Sequence, residues 1–437
     1  MSHNIQQKTN TPIVPILIIG GLFFIFGFVS WVNAILIPYF KIACELTHIQ
    51  AYLVALAFYI AYLVMAIPAS KILNKFGFKK GMMYGLWCMS IGTLLFVPAA
   101  YTRTYGIFLT GLFCIGTGLA VLQTAANPYI TVIGPIESAA RRISMMGLCN
   151  KFAGIISPLI FAAVVLKASD SQLFDELNNG ILTGAARDAA LDELIRRVML
   201  PYTMLSVLLF SFGLFIRYSP LPQLDPEKQN KSEDGATARS SIFQYPYLIL
   251  GVLAIFFHVG AQIISIDTII GYGESMGLNL VEAKGFPSYT MSWTLIGYSL
   301  GVLLIPKVLK QKRALQICTV LGLILSLCVI FLSKKVHILG HDTDISIWFL
   351  CMMGLPNALI YAGIWPLAIR NLGKYTSLGS SMLVMGLCGN AFLPIIYGFL
   401  ADKFDVRFAY WALVPCFLYL IFYAFKGHKI GRWSKSK

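Results

Sequence analysis

The chain has 437 residues, 57% of them hydrophobic and only 12% charged, and its mean hydropathy is +0.74. A water-soluble protein of this length has no means of hiding so much apolar surface, because folded surface grows too fast with mass. The formal charge of +15 would suit a nucleic-acid partner, but its distribution along the chain argues against one.

Crossing a hydrocarbon core of ~30 Å takes about 20 apolar residues per helix. Twelve such runs occur, near residues 14–38, 49–70, 81–100, 106–133, 143–166, 201–218, 246–272, 287–306, 315–332, 345–369, 379–400 and 408–425. Span one carries Ser30-Trp31-Val32-Asn33. A large ring beside an amide suits a sugar, whose C–H face prefers an aromatic surface and whose hydroxyls prefer amides; Trp31 packed against a neighbouring helix is the alternative.

Span four contains Leu122-Gln123-Thr124-Ala125-Ala126-Asn127-Pro128. Gln123 and Asn127 are four apart and share a helix face. Pro128 lacks an N–H, so the Thr124 carbonyl loses its helical partner. Two amides beside a freed carbonyl form a binding surface for a hydroxyl-rich solute, or else an interhelix clasp worth about a kcal/mol.

Span five holds Asn150 and Lys151, the latter ~12 Å in from the inner end at 1.5 Å per residue. From that depth a lysine either lines a solute path or snorkels to the interface. The outer segment 167–200 has helical apolar spacing in part and reads as short amphipathic surface helices. Residues 220–243 are polar and poor in aromatics and read as a flexible linker between two six-span halves, 1–219 and 244–437. Span seven brings His258, Gln262 and Asp267. Asp267 lies ~31 Å along it, near the outer boundary, either on the solute path or as a solvated helix end. That depth argues against a direct Lys151–Asp267 ion pair. Asn357 and Asn390 add amides in spans ten and eleven, and Trp293 and Trp365 add rings.

Lys151 and Asp267 are the two ionic side chains deep within predicted spans, where a charge costs a few to more than ten kcal/mol. The remaining basic residues divide unevenly. With the N-terminus inside, 22 of the 34 fall in inner segments and 11 in outer ones. This is the positive-inside bias of a membrane protein.

The halves echo one another. Met146-Gly147-Leu148-Cys149 recurs as Met385-Gly386-Leu387-Cys388 at an offset of 239, Ser70-Lys71-Ile72-Leu73 resembles Pro306-Lys307-Val308-Leu309 at 236, and Gly20 matches Gly251 at 231. Similar offsets near half the chain length indicate a duplicated six-helix unit. The nine cysteines are odd in number and show no CxxC spacing, so neither a disulfide framework nor a zinc site is expected. No cleavable signal peptide is evident. Walker A, HExxH and GxSxG motifs are missing, so no enzyme activity, cofactor or ATP-driven step is expected.

Taken together, Asn33-Ala34-Ile35-Leu36-Ile37-Pro38, the Gln123–Pro128 segment, Val259-Gly260-Ala261-Gln262, and Asn371-Leu372-Gly373 followed by Gly379-Ser380-Ser381 resemble the major facilitator superfamily. Within it they are most similar to the fucose–galactose–glucose symporter family, in particular the glucose/galactose transporters of Bacteroidetes-type bacteria. The resemblance implies an all-α membrane protein of twelve transmembrane helices that carries a monosaccharide by rocking-bundle alternating access. It also exposes two departures. Proton-coupled fucose transporters of the family have an Asp where this chain has Ala34 and a Glu where it has Gln123, and sodium-linked relatives keep the Asp.

The expected substrate is therefore a neutral hexose of the glucose or galactose type. Trp31, Asn33, Gln123, Asn127 and Asn150 would hold it from one half, and Gln262, Asn357 and Asn390 from the other. Asp267 and Lys151 would serve in coupling to a proton or sodium gradient. Fucose, N-acetylglucosamine and sugar uniport by the same fold are alternatives, and a drug or lipid exporter or a non-transporting sugar sensor are more distant ones. The expected setting is the bilayer of a bacterial inner membrane, with both termini cytoplasmic and no nucleic-acid partner.

Overall fold

A computed structural model describes residues 13–43, 48–165, 181–223 and 241–431, with positions 173 and 176; the side chains of 33–43 and a few further positions lie outside this description. All twelve apolar runs are helical. Spans one, four, five and six are Ile13–Ala43, Tyr105–Val132, Ala139–Val165 and Met199–Tyr218. Spans eight and nine are Phe286–Leu304 and Gln311–Phe331. Span four runs unbroken through Pro128.

Breaks divide the others. Span two bends by 55° between Leu56–Val64 and Ala66–Phe76. Span three is Phe78–Leu94 with Phe96–Thr102, span seven Pro246–Asp267 with Ile269–Ser275, and span ten Ile345–Met352 with Gly354–Ile369. In span eleven Thr376–Met385 and Gly389–Lys403 are joined by a 3-10 turn, Gly386–Cys388. A 3-10 turn, Phe408–Ala412, leads into the last helix, Leu413–Phe425. Outward faces carry exposed apolar side chains such as Ile91, Val207, Leu303, Ile317 and Phe399, which hydrocarbon tolerates and water does not.

Close approach sets the packing within each half. Membrane helices gain little from apolar burial and associate through tight contact at small residues. A Cβ at Gly116 of span four would lie 2.4 Å from the Phe58 carbonyl oxygen of span two; one at Gly354 of span ten would lie 2.1 Å from that of Thr290 in span eight. Gly116 and Gly354 are 238 apart, within the range of the sequence offsets, so the duplicated unit is visible in packing as well as in residues. Gly116→Val should force the two backbones apart, at a cost of about 1–3 kcal/mol for overpacking. A lower thermal unfolding temperature in detergent is the expected result, and an unchanged one would contradict this contact.

Loops and ends are tied by specific groups. Buried Arg142 donates to the carbonyls of Ile130 (2.8 Å), Thr131 (2.6 Å) and Pro135 (3.0 Å), closing the end of span four. In the outer segment the helix Gly184–Arg196 is held by Asp192, 3.2 Å from Arg103. A feature absent from the sequence reading is a small antiparallel hairpin between spans nine and ten, β1 (Lys335–Ile338) and β2 (His341–Asp344). His341 anchors it, with Nδ1 2.7 Å from Glu282 and Nε2 3.1 Å from the Tyr289 hydroxyl. Asp344 accepts from the Ser346 N–H and caps the first helix of span ten. Burial works to raise the Asp344 pKa, but hydrogen bonds from Ser333 and Ser346 and the nearby Arg407 hold it below the ordinary value.

Among the described residues the halves meet chiefly toward the basic side, with a smaller contact of span two on Gly386–Cys388 and Gly389–Lys403. On the basic side, Ala66–Phe76 of span two and span four pack on Thr376–Met385, and span five packs on span eight and on Gly354–Ile369. The Ala140 N–H donates to Gln311 Oε1 there at 3.2 Å. On the opposite side Phe96–Thr102, Ile269–Ser275 and Ile345–Met352 make their substantial contacts within their own halves. Among the described residues, contacts between the halves thus close the basic side of the space between them and are sparse on the other; this space is the cavity.

Candidate functional site

Side chains from spans one, two, four, five, seven, ten and eleven converge on this cavity. On span four, half-buried Gln123 donates from Nε2 to the Tyr62 hydroxyl at 3.3 Å, leaving Oε1 with no protein partner among the described residues. Asn127, one turn deeper and fully buried, donates from Nδ2 to the Tyr361 hydroxyl at 3.2 Å. Tyr361 belongs to the other half, so this bond is part of the seal. The amides are thus engaged in interhelix bonds as well as facing the cavity region.

The second half contributes a matching face. Gln262 and Ser265 follow His258 at helical spacing on span seven, and Asn357 precedes Tyr361 and Trp365 on span ten; His258 and Trp365 lie fully buried toward the basic end, below this face. Asn357 donates to Ser265 Oγ at 3.3 Å, which in turn donates to the Gln262 carbonyl at 2.8 Å. The Gln262 side chain is half-buried and has no protein partner among the described residues. Asn390 of span eleven lies against the Tyr59 hydroxyl. Tyr59 and Tyr62 stack with ring centres 6.3 Å apart.

Sequence reasoning missed these tyrosines. Tyr59, Tyr62 and Tyr361 supply the hydroxyls that hold the predicted amides. The available signal was the three-residue spacing of Tyr59 and Tyr62, and the four-residue spacing that puts Tyr361 on one face with Asn357 and Trp365.

The two ions meet across the cavity. Lys151 is 9% exposed, and its ammonium sits over the Trp31 ring, 5.2 Å from the centroid, a cation–π contact worth about 0.5–2 kcal/mol. It lies within electrostatic reach of both Asp267 and His258. Those residues are nine positions apart on span seven, or ~13 Å by helical rise.

Asp267 is solvent-exposed yet lies within the body of the protein, close to Tyr59 of the other half. Its carboxylate is on the cavity wall. Among the described residues no oxygen of Asp267 comes within 4.0 Å of Lys151, so the expected absence of a direct pair agrees with the geometry.

Other predicted residues are placed differently. Asn150 donates from Nδ2 to the Phe23 carbonyl at 3.3 Å, joining spans five and one. Trp31 packs its indole edge on Gly154, where a Cβ would fall 2.6 Å from Nε1. The side chains of Asn33 and Ala34 lie outside the described residues. Trp293 is half-buried against the core.

Trp31 therefore also packs on span five and supports Lys151. Trp31→Ala should reduce sugar transport more than Trp31→Phe, since a phenyl ring keeps most of the contact surface. Initial uptake rates on equal amounts of folded protein measure this. Equal losses would assign the role to the indole N–H.

Two packed six-helix units around a cavity open to one side define a membrane transporter of the alternating-access kind. The chain belongs to the Major Facilitator Superfamily, whose family profile matches residues 19–388, and is accordingly a multi-pass membrane transporter and not an enzyme. It is 29% identical over 411 residues to a Glucose/galactose transporter of Brucella abortus, covering 93% of this chain and 92% of that protein. It is 30% identical over 399 residues to the L-fucose-proton symporter of Escherichia coli, covering 90% and 88%. The crystal structure of the superfamily transporter FucP in the outward conformation superposes with a TM-score of 0.81 at 27% identity, covering 97% of this chain and 100% of that one.

Proposed function

We propose that this protein imports a neutral hexose of the glucose or galactose type by alternating access, driven by a proton or sodium gradient. The observation that carries this reading is the convergence of neutral amides and tyrosine hydroxyls from both halves on one open cavity, with a single opposed Lys151–Asp267 pair among the described residues there. Each sugar hydroxyl both donates and accepts, and amides and phenols answer both needs. A sugar phosphate would call for arginine. The relatives named as glucose/galactose transporters and L-fucose-proton symporters support the same substrate class.

In this reading Trp31, Asn33, Gln123, Asn127 and Asn150 hold the sugar from the first half, and Gln262, Asn357 and Asn390 from the second. Asp267 is the coupling group, with Lys151 as its electrostatic partner. The halves are 1–219 and 244–437, joined by a cytoplasmic linker, 220–243. The basic loops face the cytoplasm of a bacterium, with both termini on that side, so the open cavity faces outward. Closing the outer side over the sugar and parting the basic side would release it inward.

Calorimetric titration of the detergent-solubilised protein with D-glucose, D-galactose, L-fucose and N-acetylglucosamine, beside glucose 6-phosphate and an apolar cation, tests the substrate class. Binding confined to neutral sugars is expected. Binding of the phosphate or the apolar cation alone would overturn it. L-fucose as the tightest ligand would shift the assignment toward the fucose symporter, which the 30% identity makes the second reading.

A further inference from the structure

Beneath the open cavity, on its sealed side, four buried side-chain atoms have no hydrogen-bond partner among the described residues: Asn127 Oδ1, His258 Nδ1, Asn357 Oδ1 and Trp365 Nε1. Buried polar groups are nearly always paired, and these are grouped. Asn127 bonds to the Tyr361 hydroxyl. The Tyr361 ring centre is 6.4 Å from that of His258 and 5.6 Å from that of Trp365. Asn357 is one turn from Tyr361 on span ten.

The orphaned atoms are chemically complementary to a polyol. Asn127 Oδ1 accepts, Trp365 Nε1 donates, and His258 Nδ1 does either according to its tautomer. The indole face offers a surface for the apolar side of a pyranose. The Asn127–Tyr361 bond between halves lies across this cluster, and parting the halves on the basic side would break it and uncover all of them.

We propose that His258 and Trp365, together with Asn127 at the floor of the outer site, form a second, inner station for the sugar, occupied after the outer side closes and before release. This deepens the neutral-hexose reading and rests on it. The station is sealed in the conformation described above, so it contributes to affinity from the basic side and not from the open side.

The test uses full-length protein reconstituted in proteoliposomes of defined orientation, with the hexose that the wild type carries. For His258→Leu and Trp365→Phe, half-saturation is measured from each face. A rise of about tenfold at the basic face, with affinity at the open face held within about twofold, is expected. Trp365→Phe keeps a ring and loses the N–H, so it carries the test alone if His258→Leu fails to fold. Unchanged values at both faces, or equal shifts at both, would overturn the inner station while leaving the hexose reading in place. A wild type that carries no sugar would overturn both.

Discussion

Asp267→Asn is expected to abolish accumulation of hexose against its gradient while leaving counterflow largely intact. Uphill transport needs a group whose charge or ligation changes during the cycle. Ala34 and Gln123 stand where related symporters carry carboxylates, and neither titrates. Asp267 is the carboxylate that the described cavity offers, near Tyr59 on the facing half and within reach of Lys151. An Asn keeps its shape and loses its charge. One elementary charge moving through 100 mV supplies about 2.3 kcal/mol, enough for roughly fifty-fold accumulation at ~1.36 kcal/mol per factor of ten. The variant should equilibrate at a ratio of about one. Exchange needs only binding and rocking, so it survives. Accumulation undiminished in Asp267→Asn would remove Asp267 from coupling and pass the role to Lys151, for which Lys151→Gln is the matching variant. Wild-type uptake indifferent to proton and sodium gradients would make the protein a uniporter, with Lys151 as a fixed cation in place of a coupling ion.

Gln123→Ala should weaken sugar binding from the open side by about tenfold to a hundredfold, the range for losing one buried partner of a polar group, ~1–3 kcal/mol. Gln123 is half-buried, and its Oε1 has no partner within the described protein, so the solute is its natural complement. The change also releases the Tyr62 hydroxyl, which then lacks its 3.3 Å donor. Tyr62→Phe separates these effects: it leaves the Gln123 amide in place and removes only its anchor, so a smaller loss is expected. Calorimetry on folded protein measures both. Full affinity in Gln123→Ala would move the sugar site away from span four.

The spans were legible because lipid demands long apolar runs and little else. The positions of the breaks were not. Met65 and Met353 interrupt spans two and ten three residues before Pro68 and Pro356, yet Pro128 sits inside an unbroken helix, so a proline alone does not announce a break, and Thr268 interrupts span seven with no proline near it. The outer hairpin was missed for a related reason. Its turn residues Leu339 and Gly340 both have positive φ, 52° and 84°, the conformation that Asn-Gly or Asp-Gly normally announces; leucine there gives no such signal.

In the site, helical spacing found the amides and the ions, since polar atoms stand out in hydrocarbon. Tyr59, Tyr62 and Tyr361 did not stand out, because a tyrosine in a membrane helix is as compatible with lipid as with a cavity. The Lys151–Trp31 contact joins two residues far apart in sequence, and only the packing of span one on span five discloses it.

Counterflow in proteoliposomes bears most directly on the proposed transport of a neutral hexose through this cavity. Vesicles holding purified wild-type protein are loaded with unlabelled D-glucose, D-galactose or L-fucose and diluted into trace labelled sugar. The account predicts a transient overshoot of labelled hexose that unlabelled hexose in the medium suppresses and glucose 6-phosphate does not. Label that only drifts to equilibrium at the rate of protein-free vesicles, for every sugar in the panel, would contradict it.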